Sequence, residues 1–358
     1  MIPPRFVGRH SKTAATGAAV LLVGLIGLLD YLVGPEILLG LLYLVPISLA
    51  AWVAGRKGGV LVSCLSTAAW ITANVIPARY SHPAIAYWNA AWELGFFLVV
   101  SLLVSRLKIV NEGLEAKVLE KAAQMEKARQ IQDRLLPLPE TASRLGAAFL
   151  YEPASEVGGD YLDIRPAPGG TVLLAMADVI GHGVPAAMEA AILKTLLGYA
   201  CDQAARPDRV LTTIRQDTAD ILVDSDFASM IVVVLDRSAG RLEYASAGHP
   251  SGYLIQPGRP IRGLPATGPL LGVPGTQAWE TVSMDVRPGD RLVLVTDGLM
   301  EAANEAGEPY GLGRLEAAIE ESRGEPPDRL CRRIMERVRA FRGAAAQNDD
   351  MTILAIQV

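Results

Sequence analysis

Residues 173–183 read Leu-Leu-Ala-Met-Ala-Asp-Val-Ile-Gly-His-Gly, an apolar run that ends in an acidic, glycine-rich turn. The run Leu173–Ala177 is typical of a buried strand, and the glycines at 181 and 183 predict a turn after it. A strand fixes the position of a carboxylate at its end, and glycine lets backbone and water approach that carboxylate closely. The segment therefore predicts a sheet edge that presents Asp178 to a ligand.

Further acids occupy equivalent places elsewhere in the chain, beside glycine or at the end of an apolar run. They are Asp160, Asp297, Asp349 and Asp350. Taken singly, an Asp beside glycine is usually only a turn residue. Several carboxylates at one edge repel each other unless a cation neutralises them, and such hard oxygen ligands suit Mg²⁺ or Mn²⁺. Because two such ions activate a water for attack on phosphorus, the set predicts a two-metal hydrolase.

The segments around these acids alternate short strand-like runs with helices. Two pairs of runs flank short turns and predict hairpins: 161–165 with 171–176, and 230–235 with 241–245. Further strands are expected at 279–284, 291–295 and 351–358, and helices at 186–201, 209–223, 314–321 and 328–341. Consecutive hairpins give antiparallel sheet, and the helices come in pairs. The expected fold class is therefore α+β, a layered sandwich.

The N-terminal part of the chain has a different character. Charged residues are scarce from Thr13 to Ser105, where four apolar stretches occur at about 14–33, 37–55, 59–78 and 85–105. Each approaches the ~20 residues that cross ~30 Å of hydrocarbon as a helix. The first stretch follows basic residues, as a signal peptide does, but three more follow at hairpin distance. A retained four-helix transmembrane bundle is therefore predicted.

Lysine and arginine in the short loops indicate the orientation of this bundle. Basic residues precede the first stretch, separate the second from the third and follow the fourth, whereas the other two loops carry Glu36 and a single Arg79. The positive-inside bias places both termini in the cytoplasm, in a multi-pass protein of the inner (cytoplasmic) membrane surrounded by lipid. Asn89 and Glu93 share one helix face, and Asp30 ends the first stretch. Such residues indicate either a functional site or contacts that join helices.

Residues 107–136 are rich in Glu, Lys, Arg, Gln and Ala, with aliphatic residues at helical intervals. They predict one amphipathic helix that continues from the fourth stretch and ends at Pro137 and Pro139. Polar residues interrupt the heptad, so a homodimer through a coiled coil and a solvated spacer both stay open. The expected division is a membrane region at 1–106, a connector at 107–140 and a catalytic domain at 141–358.

Composition excludes several other classes of protein. A formal net charge of -5 over 358 residues argues against a nucleic-acid partner. The three cysteines lack CxxC spacing, which excludes a zinc ribbon or a disulfide scaffold. His182 and His249 lie in glycine-rich turns without the paired spacing of a zinc site, and neither a Walker loop nor a GxSxG elbow is present. Any hydrolytic chemistry therefore depends on the acidic residues.

The order of the motifs resembles one family. The strings are Val-Gly-Gly-Asp at 157–160, Asp-Val-Ile-Gly-His-Gly at 178–183, Ala-Ser-Ala-Gly-His-Pro at 245–250, Gly-Asp at 289–290, Thr-Asp-Gly at 296–298, Glu-Ala at 301–302 and Asp-Asp-Met-Thr at 349–352. They resemble the bacterial phosphatases of the stage II sporulation protein E type, a branch of the metal-dependent (type 2C) protein phosphatases. Residues 130–137 also resemble the helix before the catalytic domain of that family. Ile180 departs from the family, which usually has a small polar residue there.

This resemblance implies an antiparallel β-sandwich flanked by helical layers, with two Mn²⁺ or Mg²⁺ ions at its edge. Asp178 and the Val179 carbonyl would hold one ion, and Asp178 would bridge to the other. The other residues implied at the metals are Asp160, Asp297, Asp349 and Asp350. The implied activity is that of a serine/threonine protein phosphatase, and the implied partner is a phosphorylated anti-sigma-factor antagonist.

Two other functions fit parts of the sequence. The string Gly158–Leu162 is superficially similar to the signature of a diguanylate cyclase, but Tyr161 replaces its Glu and the later acidic motifs have no place there. A catalytically inactive docking or sensor module on the membrane is the second alternative. The complete acidic set argues against it, because a degenerate copy is expected to have lost some ligands.

Overall fold

The computed structural model describes residues 9–33, 39–76, 82–167, 170–181, 183–203, 206–218, 227–250, 252–273 and 278–358. The chain forms two compact units, Met1–Lys121 and Ala122–Val358. His182 and the last residues of the helix predicted at 209–223 lie outside the described residues.

The first unit is helical. It contains α1 (Arg9–Val33), a 3₁₀ turn (Gly40–Tyr43), α2 (Leu44–Trp70), a π-helical turn (Ile71–Val75) and the beginning of α3 (Pro83–Asp133). By length and composition, the helical stretches Ser11–Val33 and Gly40–Val75 are able to cross a membrane. They cover most of the first three predicted stretches, and the fourth lies within α3. The predicted helical connector is present, since α3 ends four residues before Pro137.

Gly55 reverses the chain inside α2. Its φ of 74° and ψ of -164° are not helical. A Cβ built on Gly59 would lie 2.9 Å from the Cβ of Ala51, whereas a straight helix would hold residues eight apart at ~12 Å. The element is therefore a hairpin of two helices with Arg56 and Lys57 at its turn. The second and third predicted stretches are separate helices joined at a single glycine.

Polar contacts join the helices of the first unit. Asp30 is fully buried, and its Oδ2 accepts hydrogen bonds from the Tyr43 hydroxyl (3.3 Å) and from Asn74 Nδ2 (2.8 Å). Glu93 Oε1 lies 2.9 Å from the position that a Cβ of Gly40 would take. These contacts favour the interpretation in which Asp30 and Glu93 join helices.

The second unit is a four-layer α+β sandwich. Its strands are β1 (Ala147–Glu152), β2 (Tyr161–Ala167), β3 (Thr171–Val179), β4 (Ala228–Asp236), β5 (Arg241–Ala247), β6 (Gly252–Ile255), β7 (Arg262–Leu264), β8 (Val282–Asp285), β9 (Arg291–Val295) and β10 (Met351–Gln357). Its helices are α4 (Pro139–Arg144), α5 (Val184–Gln203), α6 (Pro207–Thr218), α7 (Gly298–Glu301), α8 (Gly311–Glu321) and α9 (Pro327–Arg342). These strands pair antiparallel in two sheets, ordered β1-β10-β9-β6-β7 and β2-β3-β4-β5-β8.

Successive side chains of a strand point to opposite faces of its sheet, so each strand contributes to two layers. In β3, Leu174 and Met176 pack into the core between the sheets, whereas Leu173 and Ala175 pack against α5 and α6. Alternate residues of β9 and β10 divide in the same way between the inter-sheet core and the layer of α8 and α9. The stretch Val184–Cys201 in α5 is also apolar enough to span a membrane, but residues such as Leu193 are buried against the sheet.

The predicted fold class, an antiparallel β-sandwich flanked by helical layers, is confirmed, and so are the hairpins β2–β3 and β4–β5. The prediction missed three strands, β1, β6 and β7. The strand predicted at 279–284 begins only at Val282. Trp279 lies outside it, where its Nε1 donates to the carbonyl of Pro269 at 2.8 Å.

Candidate metal centre

The acidic residues meet at one end of the sandwich because of the strand alternation. Even-numbered residues of β2, β3, β9 and β10, such as Leu162 and Leu294, face the core between the sheets. The antiparallel pairing brings the start of β2 beside the end of β3, and the start of β10 beside the end of β9. Continuing the same alternation places five polar residues on the inner face at this end: Asp160, Asp178, Thr296, Asp350 and Thr352.

Asp160 is the most deeply placed of the acids. Its Oδ2 accepts hydrogen bonds from Thr296 Oγ1 (2.8 Å) and from Thr352 Oγ1. Its Oδ1 is buried without a hydrogen-bond partner among the described residues. Burial, and then the charge of Asp178, raise the pKa of Asp160 well above its ordinary value. One oxygen of this carboxylate is therefore oriented and still free to bind a ligand.

Asp178 is half-buried at the end of β3 and experiences the charges of the other acids. Burial raises the pKa of this carboxyl to about 8, and the charges of Asp297, Asp349 and Asp350 also raise it. Such a shift shows that the acids are within electrostatic reach of one another. A cation at this edge would remove their repulsion.

Asp297 lies between β9 and α7. Its carbonyl accepts hydrogen bonds from the N–H groups of Met300 (2.7 Å) and Glu301 (2.9 Å), which fixes the turn. Its Oδ1 is buried without a hydrogen-bond partner in the described ranges. Like Asp160, Asp297 therefore offers an available carboxylate oxygen.

The neighbouring acids Asp349 and Asp350 have different surroundings. Asp350 Oδ1 accepts from the N–H of Ala154 (2.7 Å), and its Oδ2 accepts from the N–H groups of Gly159 (2.6 Å) and Asp160 (3.4 Å). Asp350 thus holds the β1–β2 loop, which favours a structural role over the metal role predicted for it. Asp349 is half-buried and lines a small cavity beside Asp297.

Glycine allows the Val179 carbonyl to approach the β1–β2 loop. A Cβ on Gly159 would lie 2.8 Å from the Val179 oxygen. That distance is too short for a real contact, so only glycine fits there. The Val179 carbonyl and Asp160 are consequently brought to the same edge.

Three further residues of the site were not predicted as site residues. Thr296 and Thr352 hold Asp160, and each lies within one of the quoted acidic motifs, at 296–298 and 349–352, which is the signal that could have revealed them. Gln132, near the end of α3, donates from Nε2 to the Gly158 carbonyl (2.6 Å) and accepts from the Gly158 N–H at Oε1 (3.1 Å). Gln132 and Gly158 each lie within a string quoted above, at 130–137 and 157–160, but nothing in the sequence indicates that these residues, 26 apart, contact each other.

His249 supports the sheet and has no place among the acids. Its Nδ1 lies 2.7 Å from Ser229 Oγ, and Ser229 pairs with Asp178 in the register of β3 and β4. Burial lowers the pKa of His249 to about 3, so the ring is neutral at physiological pH.

The donor set fits a hard divalent cation. It consists of carboxylate oxygens and a backbone carbonyl. The buried oxygens of Asp160 and Asp297 that have no hydrogen-bond partner among the described residues are available to bind the cation. In the described ranges, no group of three or more His, Cys, Asp or Glu side chains is arranged to hold a metal ion.

Comparison with known proteins agrees with this architecture. The family described as "Stage II sporulation protein E (SpoIIE)" matches residues 168–358, more than half of the chain, and a "Domain of unknown function (DUF4118)" matches residues 13–124. The phosphoserine phosphatase RsbU of Bacillus subtilis is 29% identical over 189 residues, which cover 52% of this chain and 56% of RsbU. Phosphoserine phosphatase RsbP of the same organism is 26% identical over 185 residues, 50% of this chain and 45% of RsbP. The chain spans about half the length of these curated relatives.

A solved structure shows the same fold. The SiaA-PP2C domain of Pseudomonas aeruginosa superposes with a TM-score of 0.62 at 23% identity, covering 68% of this chain and 98% of that domain. Sheet order, layers and the position of the acidic edge describe a PP2C fold, and the family match extends through the motifs at 178–183, 296–298 and 349–352. The chain belongs to the stage II sporulation protein E family.

Proposed function

We propose that this chain is a membrane-anchored serine/threonine protein phosphatase that uses two divalent cations, Mn²⁺ or Mg²⁺. The observation that carries the proposal is the acidic edge itself. There, two buried carboxylate oxygens, Asp160 Oδ1 and Asp297 Oδ1, have no hydrogen-bond partner among the residues that the structure describes, and they lie beside the crowded carboxyl of Asp178.

Each residue of the edge has a distinct task in this proposal. Asp178 and the Val179 carbonyl would hold one cation, Asp178 would contribute to both sites, and Asp297, Asp349 and Asp160 would complete the set. When bound, the cations act as Lewis acids that lower the pKa of a water, so the chain need not supply a nucleophile of its own. Thr296 and Thr352 keep Asp160 in one orientation through its Oδ2. Asp350 keeps the β1–β2 loop closed over this arrangement.

The substrate proposed is a phosphoserine or phosphothreonine on a small anti-sigma-factor antagonist protein. RsbU and RsbP carry the name phosphoserine phosphatase, and their similarity to this chain supports that class of substrate. Asp178, Asp297 and Asp349 are only half-buried at the end of the sandwich, so a residue presented by another protein is able to reach them.

The first unit is proposed to anchor the phosphatase in the cytoplasmic membrane with both termini inside. Its apolar helices and the basic residues at the α2 hairpin turn support this arrangement. We further propose that the connector part of α3 transmits a signal to the catalytic unit, with a dimer of connectors as one way of doing so.

The decisive experiment measures hydrolysis of a phosphoserine peptide by the purified chain with Mn²⁺ and with chelator. Asp297→Asn is expected to lower turnover by about a hundredfold or more, because a cation ligand is lost. Asp285→Asn, which removes the same charge from the exposed end of β8, serves as the matched control and should retain full activity. Full activity in chelator, or in Asp297→Asn, would show that the two-metal mechanism is wrong. No turnover by the folded, Mn²⁺-loaded chain would favour the alternative of a docking module.

A further inference from the structure

A cavity of about 80 Å³ lies directly beside the acidic edge. Asp349 and Glu301 form part of its lining, and Arg342 and Asn348 form another part. Burial raises the pKa of Glu301, and the charges of Asp297 and Asp349 raise it further, so the cavity borders the same group of acids. It is therefore a space next to the proposed cations that also contains a permanent positive charge.

Arg342 is held in place at this cavity by one side of its guanidinium. Its Nη1 donates to Gln347 Oε1 at 2.8 Å. Gln347 is fixed in turn, since its Nε2 donates to the backbone carbonyls of Asp349 (2.9 Å) and Glu152 (2.8 Å). The arginine is thus tied to the backbone of a proposed metal ligand and has a defined orientation.

One nitrogen of this guanidinium lacks an acceptor. Arg342 Nε is buried and has no hydrogen-bond partner among the described residues. The ion pairs found in the described part of the chain do not include Arg342 either. A buried N–H of a charged group without an acceptor is costly, and an anion that accepts this hydrogen bond removes the cost.

The size of the cavity and the charges around it indicate which kind of anion would bind there. Neighbouring carboxylates repel any anion unless cations neutralise them, so an anion that also binds divalent cations is favoured. A phosphoryl group does so, and arginine is the side chain that matches its oxygens best. A larger open groove, about 550 Å³, shares Asn348 with the cavity and leaves room for the chain that carries the phosphate.

We propose that Arg342 is a substrate-positioning residue whose guanidinium donates to a phosphoryl oxygen of the phosphoserine or phosphothreonine substrate. This inference rests on the proposed phosphatase function and names the residue that recognises the group to be hydrolysed. Gln347 orients Arg342, and the groove beyond Asn348 accommodates the polypeptide of the substrate.

The test uses the full chain in detergent with Mn²⁺ and compares Arg342→Ala and Arg342→Lys with the parent. Three quantities are measured: KM and kcat for a phosphoserine peptide, the inhibition constant of inorganic phosphate, and the Kd of Mn²⁺. Arg342→Ala is expected to raise KM and the phosphate inhibition constant about tenfold, the cost of one charged hydrogen bond. The Kd of Mn²⁺ should stay unchanged, and Arg342→Lys should recover part of the loss.

The control variant is Arg332→Ala, which removes an exposed arginine of α9 that pairs only with Asp328 among the ion pairs described for this helix. It should match the parent in all three quantities. An active Arg342→Ala protein with parental KM and parental phosphate inhibition would overturn the proposal.

Direct calorimetric titration of inorganic phosphate into the Mn²⁺-loaded chain separates this inference from the proposed function. If the parent binds phosphate but shows no turnover, and Arg342→Ala does not bind phosphate, the phosphate subsite is supported and the proposed phosphatase function is refuted. Equal phosphate binding by parent and Arg342→Ala would refute the subsite alone. The melting temperature of each variant shows whether it folds. If Arg342→Ala does not fold, Arg342→Lys is compared with the parent instead.

Discussion

Gln132 and Gly158 hold each other by two reciprocal hydrogen bonds, so that one side-chain amide satisfies both backbone groups of one glycine. Gly158 stands two residues before Asp160, and Gln132 stands one residue before the end of α3. The last turn of the connector helix is therefore fixed to the backbone that carries a proposed metal residue. A single residue, Gly159, separates this contact from Asp160.

The contact predicts that Gln132→Ala weakens catalysis. Removing the amide leaves the buried N–H and C=O of Gly158 unsatisfied, at a cost of about 1–3 kcal/mol for each group. The loop then loses its fixed position, and we expect Mn²⁺-dependent turnover to fall about tenfold or more. The matched control is Gln130→Ala, since Gln130 is exposed and its described side-chain bond goes to Glu126. Equal activity of both variants would mean that the end of the connector is a passive spacer.

Asp349 and Asp350 should respond differently to the same substitution. Asp350→Asn places an amide donor opposite backbone donors, and each lost charged hydrogen bond costs about 1.5–3 kcal/mol. The melting temperature of the metal-free protein should fall by about 5 °C or more, at about 2–4 °C per kcal/mol for a domain of this size. Asp349→Asn should leave that temperature nearly unchanged and abolish Mn²⁺ binding. Calorimetry and metal titration on both variants check this, and a reversed pattern would exchange the two roles.

The raised pKa of Asp178 predicts a pH dependence of stability. Between its ordinary pKa of 3.8 and the folded value of about 8, the folded metal-free protein keeps a proton that the unfolded chain has lost. The free energy of unfolding therefore falls as pH rises through this range. Divalent cations favour the ionised carboxyl and should reverse the trend. Thermal melts from pH 5 to 8, with and without Mn²⁺, measure this pH dependence. Without Mn²⁺, the melting temperature of Asp178→Asn should change less with pH than that of the parent.

Gly298 is predicted to tolerate no side chain. A Cβ there would lie 2.0 Å from the backbone oxygen of Asp350, which cannot move without disturbing β10. Gly298→Ala should destabilise the fold by several kcal/mol and displace Asp297. Gly313→Ala is the matched control, because a Cβ there meets nothing within 4 Å. That change in α8 should raise stability by up to about 1 kcal/mol through helix propensity. Denaturant unfolding of both proteins checks the contrast.

The proposed topology predicts opposite locations for two fusion points. A reporter joined after Leu32 should lie outside the cytoplasm, and one joined after Val358 should lie inside. The physical reason is the concentration of basic residues on one side, including Arg56 and Lys57 at the hairpin turn. Alkaline phosphatase and fluorescent protein fusions measure the two locations. The same location for both would contradict the arrangement.

The sequence could predict the sandwich because its longer strands carry a visible period of two and are bounded by turn residues. β6 and β7 have only four and three residues, which is too short for a period to appear. The acids were predictable because each stands at a strand end. The difference between Asp349 and Asp350 was not, since it depends on the direction of each carboxylate. That direction is set by a loop about 190 residues away in the chain.

The turn at Gly55 has a consequence for biogenesis. The two helices of α2 meet at one residue with φ 74°, and Arg56 and Lys57 follow it directly, so the turn between them is very short. In the proposed membrane arrangement, so short a turn favours entry of both helices together as a hairpin. The nascent chain would reach that step at a single glycine. Residues with a β-carbon would meet a strained backbone there, at about 1–3 kcal/mol, before the catalytic unit had been synthesised.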